Sequence, residues 1–455
     1  MAQTAIFAQD TEHSVTFTVD KAVEYALANS HTLKSADIDL EIKQRAAQYS
    51  WNVLVPTIKT SGTLSRQNDI DSTIESANAS VQMANAIAYL TTGRPGTTKK
   101  TKETESMHWA GVGNVGISWN FSLAYIEQIQ AAKADYETGR ISLEQSRKET
   151  ETNVKKLFYG LLLQQENIKL QKESLEIARR RSVQSRTNWD NGVIPELSYL
   201  QAYIAYENKR PEVADAERTF KQQLDTFAFI LGLPVGTDIA LKGSIEPNYV
   251  EFDADHLIAE YGNATLDLQS LNATKANLEH NLKALNLSSY TPALALNWSW
   301  QPMITDAFNK SWTDTDNWND GGSFSATIAW ELTNLFPFSK NRQQAQDLKD
   351  NIRKIDVSLN TLKENQRLEV KKSIDALKTA RDQIDAMDRN IKLAQRSYDM
   401  AETSYQAGTT ELLELRDTET QLNQAKLGLL NQKYNYISAL LDLEQALNMR
   451  IGETR

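Results

Sequence analysis

Several segments of the chain alternate strictly between apolar and polar residues. The apolar positions are Val115, Ile117, Trp119, Phe121 and Leu123 in one segment, Leu294, Leu296, Trp298 and Trp300 in another, and Phe324, Ala326, Ile328, Trp330 and Leu332 in a third. A weaker alternation lies between Val53 and Leu64. Because successive side chains of a strand point to opposite faces, the pattern predicts four strands with one apolar and one polar face. Their predicted bounds are about 53–65, 109–123, 291–302 and 323–334.

Two other segments repeat an apolar residue every seven positions. The repeats are Val154, Leu161, Ile168 and Leu175, and then Leu415, Leu422, Leu429, Tyr436 and Leu443. This spacing is typical of a helix that packs along its length against another helix, as in a coiled coil. No proline lies between about 124 and 190 or after 340. A helix of roughly 65 residues, about 100 Å long, is therefore possible in each stretch.

The predicted elements follow the same order twice. We divide the chain into an N-terminal extension (1–18), a first repeat (19–250), a second repeat (251–448) and a C-terminal tail (449–455). Each repeat has a short helical entry, a strand, a polar loop, a second strand, a long helix, a glycine turn and a return helix. Glycine can adopt the left-handed conformation that ends a helix, so the two turns are predicted near 192 and 408.

The aromatic residues on the apolar faces suggest a transmembrane β-barrel with a watery interior. A half-buried sheet in a soluble domain would show the same alternation. The long polar segments 66–108 and 305–322 favour the barrel, because they have the character of surface loops that join strand pairs. Four strands cannot close a barrel, so several chains would have to combine their strands.

Composition excludes several classes of function. The net charge of −10 argues against a general nucleic-acid binder, and the absence of cysteine excludes disulfides, thiol catalysis and cysteine zinc sites. The five histidines have no metal-ligand spacing. Gly111-x-Gly113-x-x-Gly116 matches a dinucleotide fingerprint, but an alternating strand follows it where a helix is required. We therefore predict no enzyme activity, no cofactor and no metal.

Two further features concern membrane crossing and signal-peptide processing. No apolar run approaches the roughly 18 residues of a membrane-spanning helix, so any membrane crossing would use strands. The first ten residues resemble the end of a signal peptide, which predicts a mature chain with an added start methionine.

Three motifs, together with the glycine turns, carry a family resemblance. They are Val19-Asp20-Lys21-Ala22-Val23, Leu335-Phe336-Pro337-Phe338-Ser339 and Leu440-Leu441-Asp442-Leu443-Glu444. In their order and spacing the chain resembles the TolC-type outer-membrane efflux factor family from about Val19 to Asn448. The resemblance implies a mostly α-helical protein with a β-barrel portion. Its long-helix hairpins would form a periplasmic tunnel, and four strands per protomer would join a trimeric, twelve-stranded outer-membrane barrel.

The same resemblance implies a passive exit duct of a tripartite efflux or type I secretion system. The implied partners are two further copies of the chain, a periplasmic adaptor, an inner-membrane transporter and outer-membrane lipid. Two alternatives remain open from sequence: a soluble coiled-coil scaffold, and a surface adhesin or receptor.

Site residues follow from the resemblance at the two turns. Candidates for the hairpin tip and the adaptor contact are Trp189, Asp190, Gly192, Tyr405 and Gly408. Each turn glycine stands three positions after an aromatic residue.

Candidates for the periplasmic gate are Glu414, Asp417 and Arg186. The two acids match the positions of an acidic ring in the family, although the family prefers two aspartates. Acids at the start of a helix are also stabilised by its dipole, which is the simpler explanation. Arg186 ends a cluster with Arg179, Arg180 and Arg181, and some of these could pair with carboxylates of an adjacent hairpin and hold the tip closed.

Overall fold

The structure is a computed structural model that describes residues 15–449. The proposed start of the mature chain, residues 1–14 of the N-terminal extension and residues 450–455 of the tail lie outside the described residues. The chain divides into two compact units. Unit 1 takes the described residues of Met1–Arg45, Ala134–Lys275 and Arg353–Arg455, and unit 2 takes Ala46–Lys133 and Ala276–Ile352.

Helices dominate the described part of the chain. They are α1 (Val19–Asn29), α2 (His31–Gln48), α3 (Asp71–Thr92), α4 (Ala124–Asp190), α5 (Glu196–Leu231), α6 (Ala254–Tyr261), α7 (Leu266–Tyr290), α8 (Lys340–Gln406) and α9 (Leu412–Leu447). The two long helices, α4 and α8, have 67 residues each, and the return helices, α5 and α9, have 36 each. Among the described residues, no helix is both long and apolar enough to cross a membrane.

The seven-residue repeats of α4 and α9 are buried. Val154, Leu161 and Ile168 are buried on α4, as are Leu415 and Leu422 on α9. The predicted packing seams are therefore confirmed. The division into two sequence repeats stays a prediction, although the equal helix lengths agree with it.

The first apolar core of unit 1 lies around α1, α4, α5 and α9. Its deeply buried residues include Ala26, Val154, Phe158, Phe227 and Leu231. A second core lies among α6, α8 and α9. A short strand, β1 (Val15–Phe17), pairs in parallel with β4 (Ile239–Leu241). Phe17, which lies within the predicted extension 1–18, is buried in the first core. The bounds of the extension stay a prediction.

Unit 2 contains the second sheet. Its strands are β2 (Thr57–Arg66), β3 (Trp109–Phe121), β5 (Ala293–Trp300), β6 (Met303–Thr305), β7 (Trp318–Asn319) and β8 (Gly322–Ala329). The long strands are antiparallel in the order β2-β3-β5-β8, and the short β6 and β7 extend the sheet beside β3.

Four long strands were predicted, and each is shorter in the structure than its predicted bounds. β2 starts at Thr57 because Ser50–Leu54 form a 3₁₀ turn and Pro56 lacks the N–H that a ladder needs. β8 ends at Ala329, before a second 3₁₀ turn at Leu332–Leu335.

The predicted loop 66–108 contains a regular helix, α3. Its 22 residues are rich in alanine, and the first glycine, Gly93, ends it in the left-handed conformation. The following segment lies along the helix, since the side chain of Asn85 exchanges hydrogen bonds with the backbone of Thr98, and that of Asn78 with Thr101. The prediction failed because α3 has no strong apolar stripe.

Candidate functional site

The two glycine turns of unit 1 have the same backbone geometry. Gly192 has a φ of 70° and Gly408 a φ of 75°. The Gly192 N–H donates to the Trp189 carbonyl at 2.7 Å, and the next N–H, of Val193, donates to Asn188 at 2.8 Å. Gly408 and Thr409 repeat both bonds at 3.0 Å. This pair of bonds is the Schellman motif, which satisfies the last carbonyls of a helix and reverses the chain.

The aromatic residues of the turns are partly buried. The ring of Trp189 stacks on Tyr199 of α5, with centroids 5.3 Å apart and planes 3° from parallel. Tyr405 packs against the small cluster of Tyr398, Ala401, Leu415 and Leu422. Asp190 is exposed. Each turn therefore has a rigid aromatic base and a polar, exposed end.

A polar groove of about 1330 Å³ lies between the two hairpin turns. Ser198, Gln201 and Lys209 line it from α5, and Tyr405, Glu411 and Arg416 line it from the second turn. Val193 of the first turn and Gly408 of the second turn also line the groove.

The three predicted gate residues do not meet in the structure. Glu414 and Asp417 are exposed on the first turns of α9, and neither forms an ion pair within residues 15–449. Arg186 pairs with Asp190 on its own helix, at 3.8 Å, with both side chains mostly exposed. Such a pair contributes little to stability.

A different carboxylate joins the four helices near the tip. Glu419 of α9 accepts hydrogen bonds from Arg181 at 2.5 Å and from Ser174 at 2.7 Å, both on α4. Lys209 of α5 donates to Ser174 and stands 3.8 Å from Glu419. Arg181 also donates to the hydroxyl of Tyr398, on α8, at 3.2 Å. We call these five residues the tip network.

The tip network is shielded from water. The side chain of Glu419 is 9% exposed, and that of Arg181 is 14% exposed. Burial also raises the pKa of the Tyr398 phenol. Breaking a shielded ion pair leaves a charge with no partner and is costly, so the network fixes the relative positions of the two hairpins.

Sequence reasoning found one of the five residues of the tip network, Arg181. The expectation that an arginine of the cluster pairs across hairpins is confirmed for Arg181, whereas Arg179 and Arg180 pair with Glu176 on their own helix. Glu419 was missed. Its signal was its position four residues after Leu415, beside the apolar seam, where a charge needs a partner.

The sheet of unit 2 has one wholly apolar row across its four long strands. The pairing places Ile58, Ile117, Trp298 and Phe324 side by side. Phe324 is 69% exposed, and Ile328 on the same face is 75% exposed. The described chain therefore leaves the face uncovered around these two side chains.

The opposite face of the sheet is polar, and both of its edges are open. Thr57, Ser118, Asn297 and Ser325 form a row on this face. Among the described strands, β2 pairs only with β3 and β8 only with β5. Two edge strands therefore offer unpaired backbone groups.

Aromatic residues mark both ends of the strands. At one end the Trp119 indole donates to the Leu54 carbonyl at 2.6 Å, and the exposed rings of Phe336 and Phe338 stack 5.4 Å apart. At the other end Trp300 donates to Asp320 at 3.1 Å, and Phe308 is exposed. Such rings favour the boundary between an apolar layer and water.

The glycines of the apparent dinucleotide motif belong to β3. A Cβ at Gly111 would stand 2.7 Å from the Trp312 ring, and one at Gly113 would stand 3.2 Å from Pro302. The glycines thus allow neighbouring residues to approach the strand closely.

A model of the outer membrane efflux protein family matches residues 22–233 and 295–449, which is most of the chain. Among similar proteins, the toluene efflux pump outer membrane protein TtgC of Pseudomonas putida is 22% identical over 440 residues. The alignment covers 94% of this chain and 82% of TtgC.

Solved structures share the fold. The CmeC outer membrane channel of Campylobacter jejuni superposes with a TM-score of 0.73 at 17% identity, over 94% of this chain and 85% of CmeC. The open-state MtrE outer membrane channel of Neisseria gonorrhoeae gives a TM-score of 0.70 at 15% identity, over 95% of this chain and 89% of MtrE.

Proposed function

Because the chain belongs to the outer membrane efflux protein family, we propose that three copies form a passive exit duct. A periplasmic adaptor would couple this duct to an inner-membrane transporter. Membership confirms the resemblance found in the sequence, the mostly helical fold with a barrel-type sheet, and the outer-membrane localisation. The family consists of passive channels and not enzymes. A soluble scaffold is incompatible with this localisation.

The sheet of unit 2 supports the shared barrel. Unpaired backbone groups are not tolerated in the hydrocarbon core, so the open edges at β2 and β8 need partners. Pairing β8 of one copy with β2 of the next satisfies both edges. Three copies with four long strands each give a twelve-stranded barrel, wide enough for an aqueous interior. The exposed apolar row, which is the observation that carries this proposal, would then face lipid.

The length of the strands fits a bilayer. The ten-residue step from Trp109 to Trp119 rises about 34 Å along β3, or about 25 Å along the membrane normal at a typical strand tilt. This matches the apolar band of outer-membrane barrels, with aromatic residues at each boundary.

The tip is the proposed contact with the adaptor. Trp189, Asp190, Gly192, Tyr405 and Gly408 form two similar exposed turns beside one polar groove. TtgC is named as the outer membrane protein of an efflux pump, which supports a pump partner for this chain as well. If the contact lies here, Trp189→Ala and Tyr405→Ala should reduce export without lowering the amount of trimer. Unchanged export in both variants would contradict the contact.

The gate is proposed at the same end of the duct. Three copies of Glu414 and of Asp417 would form two acidic rings, and like charges facing one another favour cations. Arg186 is the weakest of the candidates, since its only described ion pair is with Asp190. A Glu414→Ala, Asp417→Ala variant should change cation preference in bilayer recordings. Unaltered single-channel currents would refute the rings.

Barrel closure can be tested by cross-linking, because the chain contains no cysteine. Ser325→Cys on β8 is combined in turn with Thr57→Cys, Ser61→Cys and Thr63→Cys on β2. In oxidised outer membranes, at least one pair should give cross-linked dimers and trimers and nothing larger. Ser325→Cys alone is the control. Monomers in every pair, or an open ladder above trimer, would refute the closed three-chain barrel.

An adhesin or receptor would depend on the loops that join the strands. Replacing α3 by a short glycine-serine linker should leave export intact, because α3 lies outside the sheet. Loss of export with normal trimer levels would favour a loop function.

A further inference from the structure

The polar face of the four long strands carries a single ionisable side chain, Lys59 of β2. All residues of these strands lie in the described range, and the others on this face are Ser, Thr, Asn, Ala, Gly and one Val. No carboxylate shares the face. Other charged residues on β2 do not alter this, because Arg66 lies on the opposite face and pairs with Glu105 at 2.8 Å.

The surroundings of Lys59 leave its charge uncompensated. The strand register places Gly116, Ser299 and Ser323 beside it in one row. These are among the smallest side chains, and none can become negatively charged at neutral pH. The side chain of Lys59 is exposed and forms no hydrogen bond or ion pair with any other described residue. A lysine in such a place stays hydrated and keeps its positive field.

We propose that Lys59 sets the ion preference of the barrel, by forming a ring of three positive charges that favours anionic solutes. The proposal rests on the three-chain duct, in which the polar face lines the lumen. Three-fold symmetry then places the three ammonium groups at one level. Because small side chains surround them, they are the dominant fixed charges on the strand wall at that level.

The size of the effect follows from distance and screening. In a twelve-stranded barrel the flexible side chains bring the ammonium groups within about 7 Å of the axis. Three charges at that distance in water, screened by 0.1 M salt, favour an anion over a neutral solute roughly fivefold. In 1 M salt the Debye length shrinks to about 3 Å, and the preference should nearly vanish.

The ring would complement the acidic side chains proposed at the periplasmic tip. Glu414 and Asp417 would act on solutes entering the duct, whereas Lys59 would act within the barrel. A solute carrying a carboxylate or phosphate group would thus be favoured in the barrel, and a polycation would be slowed there. The two charge sets can be separated by mutation because they lie in different units of the chain.

The test measures reversal potentials of the purified full-length protein in planar bilayers, across a potassium chloride gradient at low salt. The series is wild type, Lys59→Gln, Lys59→Glu, and Lys59→Gln combined with Ser61→Lys. The last variant moves the charge by two residues on the same face. Each is also recorded with Glu414→Gln and Asp417→Asn, which removes the acidic side chains proposed at the tip.

A cation is disfavoured by the same factor by which an anion is favoured, so we expect Lys59→Gln to lower the anion-to-cation permeability ratio about 20-fold. Lys59→Glu should invert the ratio, and adding Ser61→Lys to Lys59→Gln should restore it. Trimer mass in detergent checks that each variant assembles. Channels with the same reversal potential in the wild type and all three variants would overturn the Lys59 ring while leaving the duct intact. A wild-type protein that forms no channel would overturn the duct, and the ring with it.

Discussion

Replacing Glu419 by glutamine tests the most buried charged contact near the tip. The substitution keeps the size of the side chain but removes its charge. Arg181 and Lys209 would then lie close together with no carboxylate between them. Breaking a buried pair costs about 3–5 kcal/mol. Because Lys209 is partly exposed, we expect a loss of about 3 kcal/mol in the free energy of unfolding.

Hydrogen exchange measures this loss locally. A cost of about 3 kcal/mol corresponds to a roughly 100-fold fall in amide protection in the surrounding turns of α4 and α9, if the tip opens as a unit. Glu414→Gln is the matched control, because Glu414 is exposed on the same helix, and it should change protection less than about twofold. Combining Glu419→Gln with Arg181→Met should cost less than the sum of the single changes by more than about 1 kcal/mol.

Two results would refute this reasoning. Protection in Glu419→Gln within twofold of wild type would mean that the network does not hold the hairpins together. Strict additivity in the double variant would mean that Arg181 and Glu419 act independently, despite the 2.5 Å between them.

Three further predictions concern other parts of the chain. Gly408→Ala should destabilise the second hairpin by about 1 kcal/mol in denaturant unfolding, and Gly408→Asn by less, because asparagine tolerates a positive φ. Phe158→Ala should cost about 3–5 kcal/mol in the same assay and Phe229→Ala under about 1, since Phe158 is 1% exposed and Phe229 59%. A hydrogen bond to a backbone carbonyl raises the pKa of His108 above its ordinary 6.5. Protonated His108 therefore stabilises the segment 67–108 below that pH, and the stabilisation is lost as pH rises through the raised pKa. Proteolysis of this segment should be slower at pH 5.5 than at pH 8.5, and His108→Gln should abolish the difference.

The long helices and strands were predictable because their patterns are periodic. Val154 and Leu415 are buried where a seven-residue seam requires it, and Trp298 lies in an apolar row where strict alternation requires it. Both patterns depend only on which side of an element faces an apolar environment. They can therefore be recognised in the sequence without knowledge of the neighbouring elements.

The errors arise where contacts with distant parts of the chain determine the local structure. Helix α3 was expected to be a loop because it has no strong apolar stripe, and the contacts of Asn78 and Asn85 with a later segment leave no periodic signal in the sequence. β1 was not predicted, because a three-residue strand has no period to detect. Glu419 was overlooked because its partners lie more than 200 positions away in sequence.

The mass of the particle in detergent tests the shared barrel most directly. Light scattering on protein extracted from outer membranes should give a protein mass close to three times 51.3 kDa, and only when detergent is present. A monodisperse particle of one or two chains, or a protein that stays in solution without detergent, would contradict the account.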